Sequence, residues 1–304
     1  MSDSFIKKIY IDCFYLTSKR IRRGFATSEL NLFISSYRVL SLRSHSIIMP
    51  SENHDPPFDY EEEVHKAKRF KDDLGKGGWK KTDRYLCELI QEKIPVPLVS
   101  MSKCLASLDD SVSQYWVKTF PGEEVPIKLL FKWKMPIPAK TWLEMIQPAH
   151  IEVRRKWDDT FVDHELLETY PNGENVVYMR VVTPWPVVSR SYVLLNSPIK
   201  EIDWYGKQAY IIFQRNITHS SKPEGEDGMV RAYNGGNFYL AVPDENEPER
   251  ACEVLGLSNN LFNGWIPDTE FVTAKLAPRT IDKLRESTIK AYNTYFDYYT
   301  KTEN

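Results

Sequence analysis

The segment from Arg154 to Phe161 combines basic, acidic and aromatic side chains within a few residues. Arg154 and Asp158 stand one helical turn apart, so on a helix their side chains meet on one face and can form an ion pair. On a protein surface such a pair contributes well under ~1 kcal/mol. In an apolar cavity the two charges must stay paired, because an unpaired buried charge is costly. From the two residues alone, the surface pair is the expected setting.

A second segment, Pro184 to Tyr192, holds a Pro-Trp-Pro turn followed by an Arg-x-Tyr sequence. Trp185 between two prolines is either a packed corner or an apolar tip that enters a membrane interface, where tryptophan is favoured. In either setting the segment serves packing or recognition, not covalent chemistry.

Catalysis would require a nucleophile and a base, or an acid–base pair, that converge in one pocket. His150 and His164 flank the first segment, and several acidic residues lie close by. The chain contains no Gly-x-Ser-x-Gly, His-Glu-x-x-His or phosphate-binding glycine loop. We interpret both histidines as solvated polar residues and predict no enzyme activity and no catalytic residues.

The composition limits the class of protein further. The 304 residues are 42% hydrophobic and 13% aromatic, enough for one large domain with an extension, and the net charge of −2 argues against a nucleic-acid partner. The four cysteines are far apart and indicate reduced thiols in an intracellular protein, and no metal or cofactor site is predicted. The apolar runs are strand-sized, below the roughly 20 residues of a membrane-spanning helix, so we expect a soluble body.

The chain divides into three regions by composition. Residues 1–50 form a basic leader, which is a transit peptide, a disordered leader, or sequence upstream of a start at Met49. Residues 51–78 lack sustained apolar periodicity and are predicted to be a charged linker, with at most a short solvated helix from Tyr60 to Phe70. Residues 79–304 are the predicted globular domain.

Hydrophobic periodicity in this domain alternates between helix and strand. A helical stripe from Tyr85 to Ile90 comes first, and a short helix at Ala139 to Gln147 precedes a second helical piece that carries Trp157. The last element is a long helix from Pro278 to Tyr299 with one apolar face. The predicted strands are Ser113–Phe120, Ile127–Met135, Glu165–Tyr170, Asn175–Val182, Ser191–Asn196, Gln208–Thr218, Met229–Val242 and Arg250–Leu257. This order predicts an α+β fold, in which a final helix packs across a long antiparallel sheet.

Three further short sequences accompany the Trp-Asp and Pro-Trp-Pro segments, and all five occur in a specific order along the chain. They are Val176-Val177-Tyr178, Gly228-Met229-Val230-Arg231 and Gly264-Trp265-Ile266-Pro267. Together they resemble the START family (steroidogenic acute regulatory protein-related lipid transfer) over residues 79–304, and most of all its phosphatidylcholine transfer protein-like branch. The resemblance implies the helix-grip fold, in which a curved antiparallel sheet and a long C-terminal helix close a lipid cavity.

The resemblance also assigns roles to residues of this sequence. Arg154 and Asp158 match an ion pair that lies in the lipid cavity beneath the headgroup, so burial is favoured over the surface alternative. Trp157 of the same segment joins the predicted ligand site. Apolar strand residues that would line the cavity, or form plain core, are Met179, Val181, Leu194, Phe213 and Leu240.

Tyr192 matches an aromatic residue at the choline end of the cavity in that branch. Two other aromatic positions fall on Met179 and Gly235 here, and one ring cannot enclose a quaternary ammonium group. Tyr233, two residues from Gly235, is a candidate second ring. Ser191 replaces the Asp that is common in the family. Phosphatidylcholine is therefore one candidate ligand beside another phospholipid, a sphingolipid or a sterol.

The predicted function is to enclose one lipid, preferably a phospholipid, and to exchange it between membranes as a monomer. The final helix and the loop around Trp185 are the predicted moving parts, and Trp185, Phe296 and Tyr298 are predicted to touch the membrane transiently. A lipid-sensing module that docks to a protein through residues 1–78 is the alternative, ahead of a helix-grip enzyme. The expected location is cytoplasmic and peripheral to membranes, or mitochondrial if the leader is a presequence.

Overall fold

The computed structural model describes residues 58–82, 111–147, 150–159, 161–181, 188–225, 228–264, 273–274 and 277–301. The basic leader, the predicted helix Tyr85–Ile90 and the Pro-Trp-Pro turn with Trp185 lie outside these residues. All described residues belong to one compact unit, Asp55–Asn304.

The described part is an antiparallel sheet with helices on both faces. The strands are β1 Lys80–Lys81, β2 Ser113–Thr119, β3 Ile127–Met135, β4 Phe161–Thr169, β5 Asn175–Val181, β6 Arg190–Asn196, β7 Lys200–Trp204, β8 Lys207–Asn216, β9 Val230–Arg231, β10 Tyr233–Asn234, β11 Asn237–Pro243, β12 Cys252–Ser258 and β13 Asn260–Leu261. The helices are α1 Tyr60–Asp73, α2 Ala139–Ile146, α3 Ile151–Arg154, α4 Ala277–Thr294 and α5 Phe296–Lys301. Within this part, no helix is long and apolar enough to span a bilayer.

The main sheet has 11 strands among the described residues. Nine of them follow the order β1-β2-β3-β12-β11-β8-β6-β5-β4, while β7 pairs with β8 and β9 pairs with β6. Of its pairings, only that of β9 with β6 is parallel in the described part. Strands β10 and β13 form a separate antiparallel pair. The α+β class and the long antiparallel sheet predicted from the sequence are confirmed.

One face of this sheet, here called the inner face, is covered by α2, α4 and α5. Its core is rich in large aromatic side chains, among them Phe131, Trp133 and Trp142, which are about 1% exposed. The apolar side of α4 packs against this core through residues that include Ile281, Ala291 and Tyr292, and Tyr295 just after the helix packs there as well. The predicted final helix is therefore present, although it is broken after Thr294 and continues as α5.

Polar contacts hold the first half of α4, and a buried side chain holds α5. Near the start of α4, Ser113 and Tyr115 of β2 donate hydrogen bonds to Oδ1 of Asp282, at 2.6 and 3.2 Å. One turn later, Arg285 donates to the carbonyl oxygen of Lys134 at 3.1 Å. In α5 the Tyr299 side chain is fully buried in the inner core. The helix that closes the inner face is thus held at both ends.

The opposite face of the sheet, here called the outer face, is covered by α1. Asp59 caps this helix by accepting a hydrogen bond from the amide of Glu62 at 3.1 Å, and acidic residues fill the first turn, where the helix dipole favours them. Ala67 is fully buried against an apolar cluster on the sheet, and Phe58 and Trp79 on either side of the helix are also buried in that cluster. The outer face is a second core.

The prediction of a charged linker over residues 51–78 is wrong for its described part. The residues from Phe58 onward form a packed helix, and Tyr60, Val64, Phe70 and Leu74 contact the outer core. The apolar stripe of α1 is narrow, because lysines and acidic residues separate its members. Hydrophobic periodicity alone therefore does not indicate that the helix is packed against a core. The large apolar surface that it meets is supplied by the sheet, which the helix sequence does not reveal.

Strand boundaries also differ from the prediction in a few places. The stretch predicted as one strand, Met229–Val242, is divided into β9, β10 and β11, with Gly236 at a φ of 107° between the last two. Strand β7 was not predicted, because its Lys-Glu-Ile-Asp-Trp sequence is mostly exposed and polar. It enters the sheet through a tight hairpin to β8, where Tyr205 and Gly206 both have positive φ.

Candidate functional site

The ion pair of Arg154 and Asp158 is buried. Nε of Arg154 lies 2.9 Å from Oδ2 of Asp158, and the exposed fractions of the two side chains are 10% and 0%. Helix α3 ends at Arg154 and the following turn returns Asp158 beneath it, with the Asp158 amide bonded to the Arg154 carbonyl. A second guanidinium nitrogen donates to the carbonyl oxygen of Ile146 at the end of α2. The predicted burial is confirmed, and the pair holds the α2–α3 corner.

A row of side chains crosses three strands next to this pair. His164 of β4 lies opposite Met179 of β5, which lies opposite Tyr192 of β6. Directly paired residues of an antiparallel sheet point to the same face, so the three side chains are neighbours. Val193 and its neighbours of the same parity belong to the outer core, which places Tyr192 on the inner face.

The polar groups of this region influence one another electrostatically. Burial, together with the charges of Arg154 and Arg155, lowers the pKa of His164 to about 3, so the imidazole is neutral at physiological pH. Burial raises the pKa values of Tyr192 and Tyr239, and both phenols keep their protons. The site thus combines a paired arginine and aspartate with neutral hydroxyl and imidazole groups.

His164 was predicted to be solvated, and this is wrong. The residue is 3% exposed because its position in β4 directs it to the inner face beside Met179. His150 behaves differently, since it is partly exposed and its Nδ1 lies 3.1 Å from the hydroxyl of Tyr298. The sequence missed this distinction because the β4 register is not visible from the His164 segment alone.

An apolar cluster adjoins the row of His164, Met179 and Tyr192. Tyr192, Leu194 and Ala232 are buried in it, and Met179 and Val181 pack against them. Four of the predicted ligand-site residues, Met179, Val181, Tyr192 and Leu194, are therefore brought together. Ala232 was missed, because a small residue between two short strands carries no periodic signal.

Phe213 and Leu240 do not belong to this cluster, and their prediction as lining residues is wrong. Both are buried in the outer core, where the ring of Phe213 lies 6.1 Å from that of Phe58. Their strand neighbours Ile212 and Tyr239 occupy the inner face instead. Strands with apolar residues on both faces give no alternation to decide which residue points inward.

Tyr233 is also absent from the cluster around Tyr192. Its hydroxyl is hydrogen-bonded to Glu124, an exposed residue of the β2–β3 turn, and Ala232 lies beside Tyr192 instead. Gly235 has no room for a larger side chain, since a Cβ at that position would lie 2.9 Å from Nδ2 of Asn259. The described residues therefore do not surround Tyr192 with further rings at these two positions.

Trp157 and the aromatic residues of α5 meet at one end of the inner face. The indole nitrogen of Trp157 donates to the hydroxyl of Tyr299 at 3.3 Å, and Trp157 packs against the inner core. Phe296 and Tyr298 of the same helix are 49% and 42% exposed. The proposed ligand residue Trp157 is thus tied to the closing helix, and the two proposed membrane residues face solvent.

Arg190 has a structural role that the sequence did not reveal. The residue is 1% exposed, and its guanidinium donates to the carbonyl oxygens of Phe262, at 2.5 Å, Asn263, at 2.8 Å, and Val188. Arg190 therefore links β6, the strand that contains Tyr192, to the loop after β13. Ser191 is buried as well and accepts a hydrogen bond from Nε of Arg231 at 3.1 Å.

These features define a class of protein with a helix-grip fold, in which a buried ion pair and an apolar cluster face the helices that close one side of a sheet. Residues 136–281 match the family model of the START domain, which confirms the resemblance to the START family seen in the sequence.

Two curated relatives are phosphatidylcholine transfer proteins. That of Bos taurus is 32% identical over 142 residues, which cover 47% of this chain and 62% of that protein. That of Homo sapiens is 27% identical over 116 residues, which cover 38% of this chain and 51% of that protein. The matches thus span about half to three fifths of the lengths of these relatives, and they support the resemblance to the phosphatidylcholine transfer protein-like branch.

Two solved structures share the fold. Human STARD10 aligns with a TM-score of 0.58 at 18% identity, covering 83% of this chain and 86% of that chain. Human StAR-related lipid transfer protein 5 aligns with a TM-score of 0.58 at 13% identity, covering 78% and 95%. At these identities the likeness concerns the fold, which agrees with the sheet and helices described above.

Proposed function

We propose that this protein binds one lipid between the inner face of the sheet and the helices that cover it, and transfers the lipid between membranes. The observation that carries the proposal is the buried pair of Arg154 and Asp158 beside the apolar cluster of Tyr192, Leu194 and Ala232. A START domain with this arrangement offers polar contacts to a headgroup and apolar surface to acyl chains. No catalytic role is proposed.

A phospholipid is the preferred ligand class, with phosphatidylcholine as first candidate because the curated relatives carry that name. Sphingolipids and sterols are the other candidates. Met179 and Gly235 stand where the branch has aromatic residues of a choline cage. Fewer aromatic rings would therefore contact the headgroup, and selectivity for choline is expected to be weak.

The first experiment identifies the ligand. The full chain, purified from a eukaryotic host, is examined by native mass spectrometry and lipid extraction, and transfer is followed with fluorescent lipid between donor and acceptor vesicles. One dominant lipid class together with transfer supports the proposal. Bound lipid without transfer would instead favour the sensing module, and a lipid-free, monodisperse protein that acquires no lipid from vesicles would overturn lipid binding.

We further propose that Phe296 and Tyr298 touch the membrane during exchange, together with Trp185. The exposed fractions of the first two suit an interfacial contact, where aromatic rings are favoured. Replacing Phe296, Tyr298 or Trp185 with Ala should slow transfer without reducing the bound lipid. Leu166→Ala is the matched control, because Leu166 is similarly exposed on β4; equal transfer rates for all four variants would exclude the membrane role.

The proposed domain includes Phe58 and does not begin at Trp79, so α1 belongs to the lipid-binding unit. The protein is proposed to act as a monomer at membranes facing the cytoplasm, with mitochondrial delivery by residues 1–50 as the alternative. Imaging of the full chain beside a form that lacks residues 2–50 distinguishes the two locations. Light scattering measures the oligomeric state.

A further inference from the structure

A cavity lies on the outer face, separated from the proposed lipid site by the sheet. Its volume is about 190 Å³. Its lining includes the tryptophans Trp116 and Trp204, the leucines Leu240 and Leu255, and the charged residues Lys71, Lys132 and Glu253. Leu240 and Leu255 belong to the outer core, whereas their strand neighbours Tyr239 and Val254 belong to the inner one. The two sites therefore use opposite sides of the same strands.

The walls of the cavity suit a flat apolar group. Leu240 and Leu255 are nearly inaccessible to solvent. Trp116 of β2 and Trp204 of β7 contribute aromatic surface. An apolar cavity of about 150 Å³ holds benzene. A cavity of about 190 Å³ accordingly admits one aromatic ring with a short substituent, and not a lipid chain of membrane length.

The charges among the lining residues favour an anion. Lys132 is paired with Glu253, whose Oε2 lies 2.6 Å from its ammonium nitrogen. Lys71, in the last turn of α1, makes no ion pair within the described part of the chain. The lining residues thus carry one positive charge in excess. A carboxylate next to Lys71 would balance this charge.

From the size, the aromatic walls and the charge, we propose that this outer cavity binds a small aromatic carboxylate, with its ring against the two tryptophans and its carboxylate near Lys71. Because α1 and strands β2, β3, β7, β11 and β12 all contribute, the ligand would bind only when α1 is docked. The proposal is independent of which lipid occupies the inner face.

The test uses the full chain labelled with 5-fluorotryptophan and phenylacetate as the probe. Fluorine NMR signals of Trp116 and Trp204 are assigned with single Trp→Phe variants. We expect saturable shifts of these two signals, with a Kd of about 1 mM for a ligand of this size. Lys71→Gln should raise the Kd roughly threefold to fivefold, as expected for one partly exposed charge contact.

Two controls make the outcome decisive. Lys290→Gln changes an exposed lysine of α4 and should leave the Kd of phenylacetate unchanged. Phenylacetamide has the ring without the charge, so it should bind more weakly than phenylacetate. Its Kd should be the same for the wild type and for Lys71→Gln. The proposal is overturned by shifts that do not saturate, by shifts confined to Trp133 and Trp142 of the inner core, or by an unchanged Kd in Lys71→Gln. Equal affinity for phenylacetamide would overturn the carboxylate assignment and favour an uncharged aromatic group.

Discussion

The two faces of the sheet are built from the same strands but differ in chemistry. The inner face carries a buried ion pair, a buried histidine and several tyrosines below α4, whereas the outer face is a mainly apolar core below α1. Neighbouring residues of one strand consequently have unrelated roles. Tyr239 belongs to the electrostatic network of Arg154, while Leu240 beside it packs under a helix.

Because the two faces differ in chemistry, substitutions on them should have different effects. Most outer residues contribute stability and do not contact the proposed lipid, because they form an apolar core on the opposite side of the sheet. Inner residues contribute stability, and in the proposed site they also decide which lipid is bound. Variants that separate these two effects test the comparison.

The largest effect is expected from Arg154→Leu on the inner face. Removing one partner leaves the Asp158 carboxylate buried and unpaired, which should lower the free energy of unfolding by about 3–5 kcal/mol. The double variant with Asp158→Leu should recover much of this loss, and both should change the bound lipid. Denaturant unfolding and lipid extraction measure the two effects.

The matched control is Lys207→Gln in the exposed pair with Glu245, whose side chains are 55% and 72% exposed. This change should be nearly silent in both measurements. A silent Arg154→Leu variant would mean that burial of the pair contributes neither to stability nor to ligand binding.

A large loss is also expected from Leu240→Ala, on the outer face. Leu240 is fully buried, so the cavity left behind should cost about 3 kcal/mol, while the lipid class bound should stay the same. Met179→Ala, at a partly buried inner position, should cost less stability and alter the bound lipid more. The reverse pattern would show that the two faces have been assigned to the wrong roles.

His164 should give the inner face a pH dependence. Its pKa is about 3 in the folded protein, against an ordinary value of 6.5, so as the pH falls from 6.5 to 3 the unfolded chain binds a proton that the folded chain does not. The stabilising effect of the neutral, buried histidine is thus complete above about pH 7 and lost on acidification. Between pH 7 and pH 5, wild type should lose about 2 kcal/mol more than His164→Asn. Parallel stability curves for the two proteins would contradict the buried, neutral histidine.

A smaller effect is expected from Asp282→Asn at the start of α4. The substitution keeps the shape but weakens the hydrogen bonds from Ser113 and Tyr115, which should cost about 1 kcal/mol and speed lipid exchange. Hydrogen exchange of α4 amides and vesicle transfer rates measure this change. Glu286→Gln, on the exposed side of α4, should leave both unchanged.

Local patterns predicted much of the fold. Strand β3 was predicted with its observed bounds, because alternating lysines and apolar residues define Ile127–Met135, and the apolar stripe of α4 predicted the closing helix. The burial of Arg154 and Asp158 followed from the family resemblance and not from the residues themselves. Periodicity could not indicate whether Phe213 or Ile212 faces inward, since β8 is apolar on both faces.

The remaining errors have a common physical origin. The burial of His164 depends on the pairing of β4 with β5, and the packing of α1 depends on an apolar surface assembled from six or more strands distant in sequence. Both are long-range properties. A short helix with many charges, such as α1, looks solvated until that surface is known.

The position of α1 has a practical consequence for any shortened form of this protein. A fragment that starts at Trp79 would leave the apolar outer surface around Phe213 and Leu240 bare, and bare surfaces of this kind adhere to vesicles, plastic and each other. Such a fragment would pellet with liposomes whatever its cargo. Sedimentation with membranes would then measure nonspecific adsorption. Only a form that retains Phe58 to Asp73 can distinguish such adsorption from lipid binding and transfer.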